Sequence, residues 1–92
     1  GTIPPSILLT DTIENKIAYI VIAMKKKRFK LHIHPYVEAF IAKGLLPLKL
    51  KWRFKYGWGI KIIPDQSLPF LSYKFIDTDG SEIDVKEEHE LV

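Results

Sequence analysis

Cysteine is absent from this 92-residue chain. Its absence excludes a disulfide framework and a thiolate zinc site built from the chain's own residues, and it suits a reducing compartment. No run of about 18 apolar residues occurs, so no membrane-spanning helix is expected. The opening Gly1-Thr2-Ile3-Pro4-Pro5-Ser6 has no charged stretch leading into an apolar one, so no secretory leader is expected there. A start on Gly rather than Met suggests a piece cut from a longer chain, or a tag scar. Acidic residues are scarce over most of the length. Residues 1–76 hold thirteen Lys and Arg against Asp11, Glu14, Glu38 and Asp65, a balance of +9, whereas residues 77–92 hold Lys86 against seven acids, a balance of −6. The formal +3 is the sum of a basic body and an acidic tail. A small basic body attracts polyanions because each phosphate contact releases counterions. The tail argues against uniform coating of DNA; it can screen the body, dock on it or solubilise the end.

Hydrophobic residues make up 47% of the chain and aromatics 12%, enough for a real core and too much for disorder. The length allows one domain, 1–92, with an ordered core over about 6–83 and a frayed acidic tail over 84–92. Ser6, or a capping box of Asp11 with Glu14, starts a helix over roughly 7–24 whose stripe is Leu9, Ile13, Ile17, Ile20, Val21 and Met24. Lys25-Lys26-Lys27-Arg28 closes it, a solvated cationic helix end or a phosphate contact. Phe29, Leu31 and Ile33 alternate with Lys30, His32 and His34 as a half-buried strand. Pro35 begins a short helix over 35–43 that Gly44 ends.

Residues 45–56 read two ways. Leu48, Leu50, Trp52, Phe54 and Tyr56 alternate with Lys49, Lys51, Arg53 and Lys55, which is a strand with one basic face. At helical spacing, Leu45, Leu48, Trp52 and Tyr56 instead share one face, and Leu50 and Phe54 form an exposed pair on the other. Pro47 and Gly57 punctuate such a helix. Gly57-Trp58-Gly59 is a turn, Ile60–Ile63 a short strand stopped by Pro64, and Leu71, Tyr73 and Phe75 the apolar face of another. Asp77-Thr78-Asp79-Gly80 is a turn signal. The order is α-β-α-α-β-β, an α+β domain with helices packed on one face of a roughly three-stranded sheet.

Little here is catalytic. His32 and His34 would share a strand face, but no third ligand is near in sequence, and hydrogen-bonded or surface histidines are the simpler reading. Asp77, Asp79, Glu82 and Asp84 resemble a calcium-style stretch without the twelve-residue ligand loop. Gly57-x-Gly59 lacks a third glycine and precedes a strand. The best chemical surface is basic with aromatics interleaved: Lys49, Lys51, Arg53, Lys55 and Lys61 beside Trp52, Phe54, Tyr56 and Trp58. Exposed aromatics among cations suit single-stranded RNA. The alternatives are that Trp52 and Tyr56 are core, or that the surface meets a protein. Candidate RNA contacts are Lys25, Lys26, Lys27, Arg28, Lys49, Lys51, Arg53 and Lys55.

Four segments carry a resemblance: Pro5 to Asp11 (PSILLTD), His34 to Ile41 (HPYVEAFI), Lys55 to Asp65 (KYGWGIKIIPD) and Tyr73 to Ile83 (YKFIDTDGSEI). In order and over nearly the whole chain, they resemble the C-terminal small domain of the bacterial ribonuclease E/G family, in its short ribonuclease G-like form. The resemblance implies a parent that is a magnesium-dependent, single-strand-preferring endoribonuclease of RNA processing and turnover, in the cytoplasm. The parent's magnesium aspartates and cysteine zinc link lie upstream, outside this sequence, so no catalytic residue and no cofactor is carried over. The small domain of the family does no cleavage; it packs against the catalytic part and helps hold subunits together. The resemblance favours the helical reading of 47–56 and makes Leu50, Phe54 and Trp58 candidate interface residues. A free-standing RNA-binding module is the alternative.

Overall fold

The computed structural model describes residues 5–43 and 47–85. Helix α1 (Pro5–Ala18) runs into a π-helical turn (Tyr19–Ala23), followed by β1 (Phe29–Ile33), α2 (Pro35–Ala42), α3 (Leu48–Tyr56), β2 (Ile60–Pro64), β3 (Tyr73–Asp77) and β4 (Glu82–Ile83). The sheet order is β2-β1-β3-β4. Strands β1 and β2 are parallel, with Phe29 opposite Ile60 and Ile33 opposite Pro64. Their connection carries α2 and α3, as a parallel crossover requires. Strand β3 is antiparallel to both β1 and β4. The α+β class and the element order are as the sequence implies. The sheet gains a fourth, two-residue strand because the 77–80 turn folds Glu82 and Ile83 back onto Ile76 and Phe75. Gly80 makes that turn possible: its φ is 90° and its amide donates to the Asp77 carbonyl at 3.0 Å.

Alternation along β1 decides the layering. Phe29, Leu31 and Ile33 are buried, with Ile60, Phe75 and Ile83 beside them on the same sheet face. Ile13, Ile17 and Ile20, Val37 and Ile41 of α2, and Trp52 of α3 complete this core. The opposite sheet face carries Lys61, Lys30, Ile76 and Glu82 in one row, and Ile63, His32 and Lys74 in the next. All of these are exposed or half-exposed, so the helices cover one face and leave the other open.

Several local expectations change. The helix already runs from Pro5, so Ser6 lies inside it and Asp11 with Glu14 sit mid-helix, not at a cap. The last turn widens to π spacing, with the Met24 amide donating to the Tyr19 carbonyl. Lys25 then takes a left-handed conformation at φ 58°, and the Lys26 amide donates back to the Ile20 carbonyl at 3.1 Å. This left-handed closure, with lysine where glycine is usual, is one residue wider than a Schellman motif because the turn before it is π. Residues 48–56 are helical: only Trp52 is fully buried, with Leu48 and Tyr56 flanking it, which a two-faced strand would not produce. Leu45 and the expected helix stop at Gly44 lie outside the described residues. So do residues 86–92 of the acidic tail, but Val85, placed at the start of that tail, is buried in the core.

Candidate nucleic-acid interface

The register that pairs Phe29 with Ile60 brings two distant segments together. The Phe29 amide donates to the Gly59 carbonyl at 3.2 Å, so the chain entering β1 lies against the turn entering β2. The approach is close enough that a Cβ at Gly59 would sit 2.2 Å from the Lys27 carbonyl oxygen and 2.9 Å from Arg28 Cγ. Only glycine fits there. Above this contact opens a groove of about 650 Å³ lined by Lys27, Arg28, Lys30, Trp58, Lys61 and Thr78, with Asp77 at its wall. Lys30 and Lys61 are direct cross-strand neighbours on the open sheet face. Trp58 is 63% exposed and meets Phe54, itself 67% exposed, at a ring distance of 5.3 Å and an interplanar angle of 87°.

Among the described residues, the cations lining this groove have no carboxylate partner. Its carboxylate, Asp77, is engaged by Lys26 Nζ at 2.6 Å. That bond, with the Thr78 amide, holds the Asp77 carboxyl below its ordinary range. Among the described residues no carboxylate lies within ion-pair reach of Lys27, Arg28, Lys30 or Lys61.

The residues singled out from sequence are divided by the fold. Lys27 and Arg28 line the groove. Lys25 forms the left-handed closure and Lys26 faces Asp77. On α3, Lys49 reaches Glu38 at 3.2 Å and Lys55 reaches Glu14 at 3.4 Å, so two of its cations are tied to α2 and α1. Lys51 is exposed. Arg53 is half-buried, and its Nε has no hydrogen-bond partner among the described residues. Of the interface candidates, Phe54 and Trp58 form the exposed pair, while Leu50 is half-buried. Sequence reasoning missed Lys30 and Thr78. Alternation did place Lys30 on the polar face of β1; only the strand pairing sets Lys61 beside it.

Behind the groove, Glu14 locks α3 to α1. Its carboxylate accepts from Trp52 Nε1 at 3.1 Å, Tyr56 Oη at 2.9 Å and Lys55 Nζ at 3.4 Å. Burial pushes the Glu14 pKa up, but the three donors outweigh it and the net shift is downward. Burial, then the neighbouring carboxylate, raises the Tyr56 phenol. The hydrogen bonds to Tyr56 and Glu14 raise the Lys55 ammonium.

The far end of β1 is built differently. His34 Nδ1 accepts from the Tyr36 amide at 3.1 Å and caps α2. His32 Nδ1 lies 3.2 Å from Asp65 Oδ2. Asp65 also accepts from the Ser67 hydroxyl and amide, and these bonds, with His32, hold its carboxyl at about 2. The two histidines are therefore hydrogen-bonded in different directions. No three His, Cys, Asp or Glu side chains converge as a metal-ligand group among the described residues. No described helix is long and apolar enough to cross a membrane.

Comparison with protein families, curated proteins and solved structures returns no match to this chain.

Proposed function

We propose that this chain is the non-catalytic small domain of a magnesium-dependent endoribonuclease of the ribonuclease E/G type, acting in the cytoplasm. It packs against the catalytic part, assists assembly of subunits and contacts RNA. One observation carries the RNA contact: the exposed Phe54–Trp58 pair stands beside four cations that no described carboxylate neutralises. Cations with a bare aromatic face suit phosphates and unstacked bases together. The same exposed pair, with the half-buried Leu50, supports a role in assembly, because adjacent large apolar side chains on a surface mark interaction sites.

Two measurements test this reading. Labelled single-stranded RNA titrated with the chain should bind at about 50 mM salt and weaken by more than tenfold at about 200 mM, as phosphate-driven binding does. The RNA should stay intact with magnesium present. Absence of binding at low salt would remove the RNA role. Light scattering at high protein concentration should show association that Phe54→Ser weakens; a strict monomer would remove the assembly role. A free-standing RNA-binding module is the second reading. Salt-steep RNA binding by a strict monomer would select it.

A further inference from the structure

We infer that the groove between the Lys27–Lys30 segment and the Gly57–Lys61 turn is a seat for one unpaired nucleotide of an RNA strand, its base stacked on Trp58. The inference rests on the RNA-contact reading above and assigns it a place. Trp58 is the groove's aromatic wall, and 63% of its surface is bare despite the contact with Phe54. Lys30 and Lys61 lie on the sheet side, in register across β1 and β2. Lys27 and Arg28 line the same groove, with the Lys27 carbonyl and Arg28 Cγ close against Gly59. A base on the indole therefore has four cations lining the same groove to meet its flanking phosphates. The Thr78 side chain is exposed at the same wall and can meet a sugar hydroxyl.

Three features select this occupant. Stacking on a side chain needs a base freed from its neighbours, which a duplex does not offer. The volume of about 650 Å³ is of small-molecule size, matching a nucleotide better than a helix or folded partner. The open sheet face continues from Lys30 to His32 and Lys74, a polar path along which the rest of a strand can lie. Lys26 contributes indirectly. By holding Asp77 at 2.6 Å, it neutralises the carboxylate that would repel a phosphate at this wall.

The test uses the full chain and a labelled single-stranded RNA of about ten nucleotides, with the matching duplex, single-stranded DNA and a polyglutamate peptide as competitors. Trp58→Ala should weaken binding about tenfold, the effect of losing one stacked base. Trp58→Phe should restore most of it. RNA should quench the tryptophan emission of the wild type but not of Trp58→Phe, whose remaining indole, Trp52, is buried. The Lys30→Gln/Lys61→Gln double variant should lower the log–log salt slope by about 1.4, two phosphate contacts on a single strand. Lys43→Gln, at the end of α2 and outside the groove lining, should leave quenching unchanged. Comparable competition by single-stranded DNA would show that the seat reads the base and phosphate rather than the sugar hydroxyl, and would remove the role given to Thr78. If wild type binds RNA while Trp58→Ala and Lys30→Gln/Lys61→Gln match it, the groove is not the seat although RNA contact stands. Equal competition by duplex or by polyglutamate, without quenching by RNA, would likewise overturn it. If wild type binds no RNA, the functional reading falls and the seat with it.

Discussion

Both ends of β1 carry exposed aromatic side chains, yet they present opposite chemistry. At its start, Trp58 and Phe54 stand among Lys27, Arg28, Lys30 and Lys61, whose charge no described carboxylate meets. At its end, Tyr36, His34 and Phe70 form a ring cluster with centroids 5.0, 5.5 and 6.1 Å apart, and the nearby charges are Asp65, bound to His32 and Ser67, and Lys74, which acts on Asp65. Tyr36 is 71% exposed, more than Trp58. Exposure of an aromatic ring therefore does not distinguish the two ends; the balance of fixed charge does. The first end gathers cations with no described carboxylate partner, while the second has its polar groups satisfied internally.

Substitutions can break this contrast, beginning at the contact that creates the basic end. Gly59→Ala forces a methyl group onto the Lys27 carbonyl, and overpacking against backbone costs about 3 kcal/mol. Urea denaturation should show that loss, whereas Gly57→Ala, with open space around its Cβ but a φ of 123°, should cost less. Glu14→Ala is expected next, at about 2 kcal/mol, because it strands the buried Trp52 indole N–H and the Tyr56 hydroxyl. Glu14→Gln should recover part of the loss in the same denaturation series. The contrast itself is sharpest in RNA affinity: Trp58→Ala should cost about tenfold, and Tyr36→Ala or Phe70→Ala less than about twofold. Equal losses at the two ends would show that aromatic surface alone drives binding. Lys25→Gly should stabilise by up to about 1 kcal/mol, since glycine occupies the left-handed region without a Cβ penalty.

The smallest expected effect belongs to the other end. Asp65 has a folded pKa of about 2 against an ordinary 3.8, so its contribution to stability is complete above about pH 4 and is lost as pH falls toward 2. Asp65→Asn should remove that part of the acid sensitivity, and Ser67→Ala should reduce it, since the Ser67 hydroxyl is the largest cause of the shift. Unfolding midpoints measured from pH 5 to pH 2 would show whether the slope flattens.

How far the sequence is legible depends on the distance between interacting residues. The alternation of Phe29, Leu31 and Ile33 and the start of α2 at Pro35 are local and read correctly, whereas the cap that His34 supplies was not foreseen. The stripe Ile13, Ile17 and Ile20 reads as a helix, but the π turn and the left-handed Lys25 leave no composition signal. Residues 48–56 satisfy both periodicities, because hydrophobic and basic residues alternate strictly while Leu48, Trp52 and Tyr56 also fall on one helical face. Burial of Trp52 against α1 settles the matter, and that is a tertiary fact. The groove was least legible. Lys27 and Trp58 are far apart in the chain, and what joins them is a parallel pairing that no short-range pattern encodes. For the same reason the cations of α3 looked like one surface, although Glu14 and Glu38 draw two of them inward.

The π turn at Tyr19–Ala23 has a consequence for chain length. A π turn spends an extra residue on each hydrogen-bonded loop, closing five residues apart where an α-helix closes four. It is therefore a store of one residue of slack between the helical stripe and the strand that follows. A single deletion there can be absorbed by reverting to α spacing, with Ile13 and Ile17 left in place. The same deletion inside Phe29–Ile33 would turn every following side chain of the central strand to the wrong face.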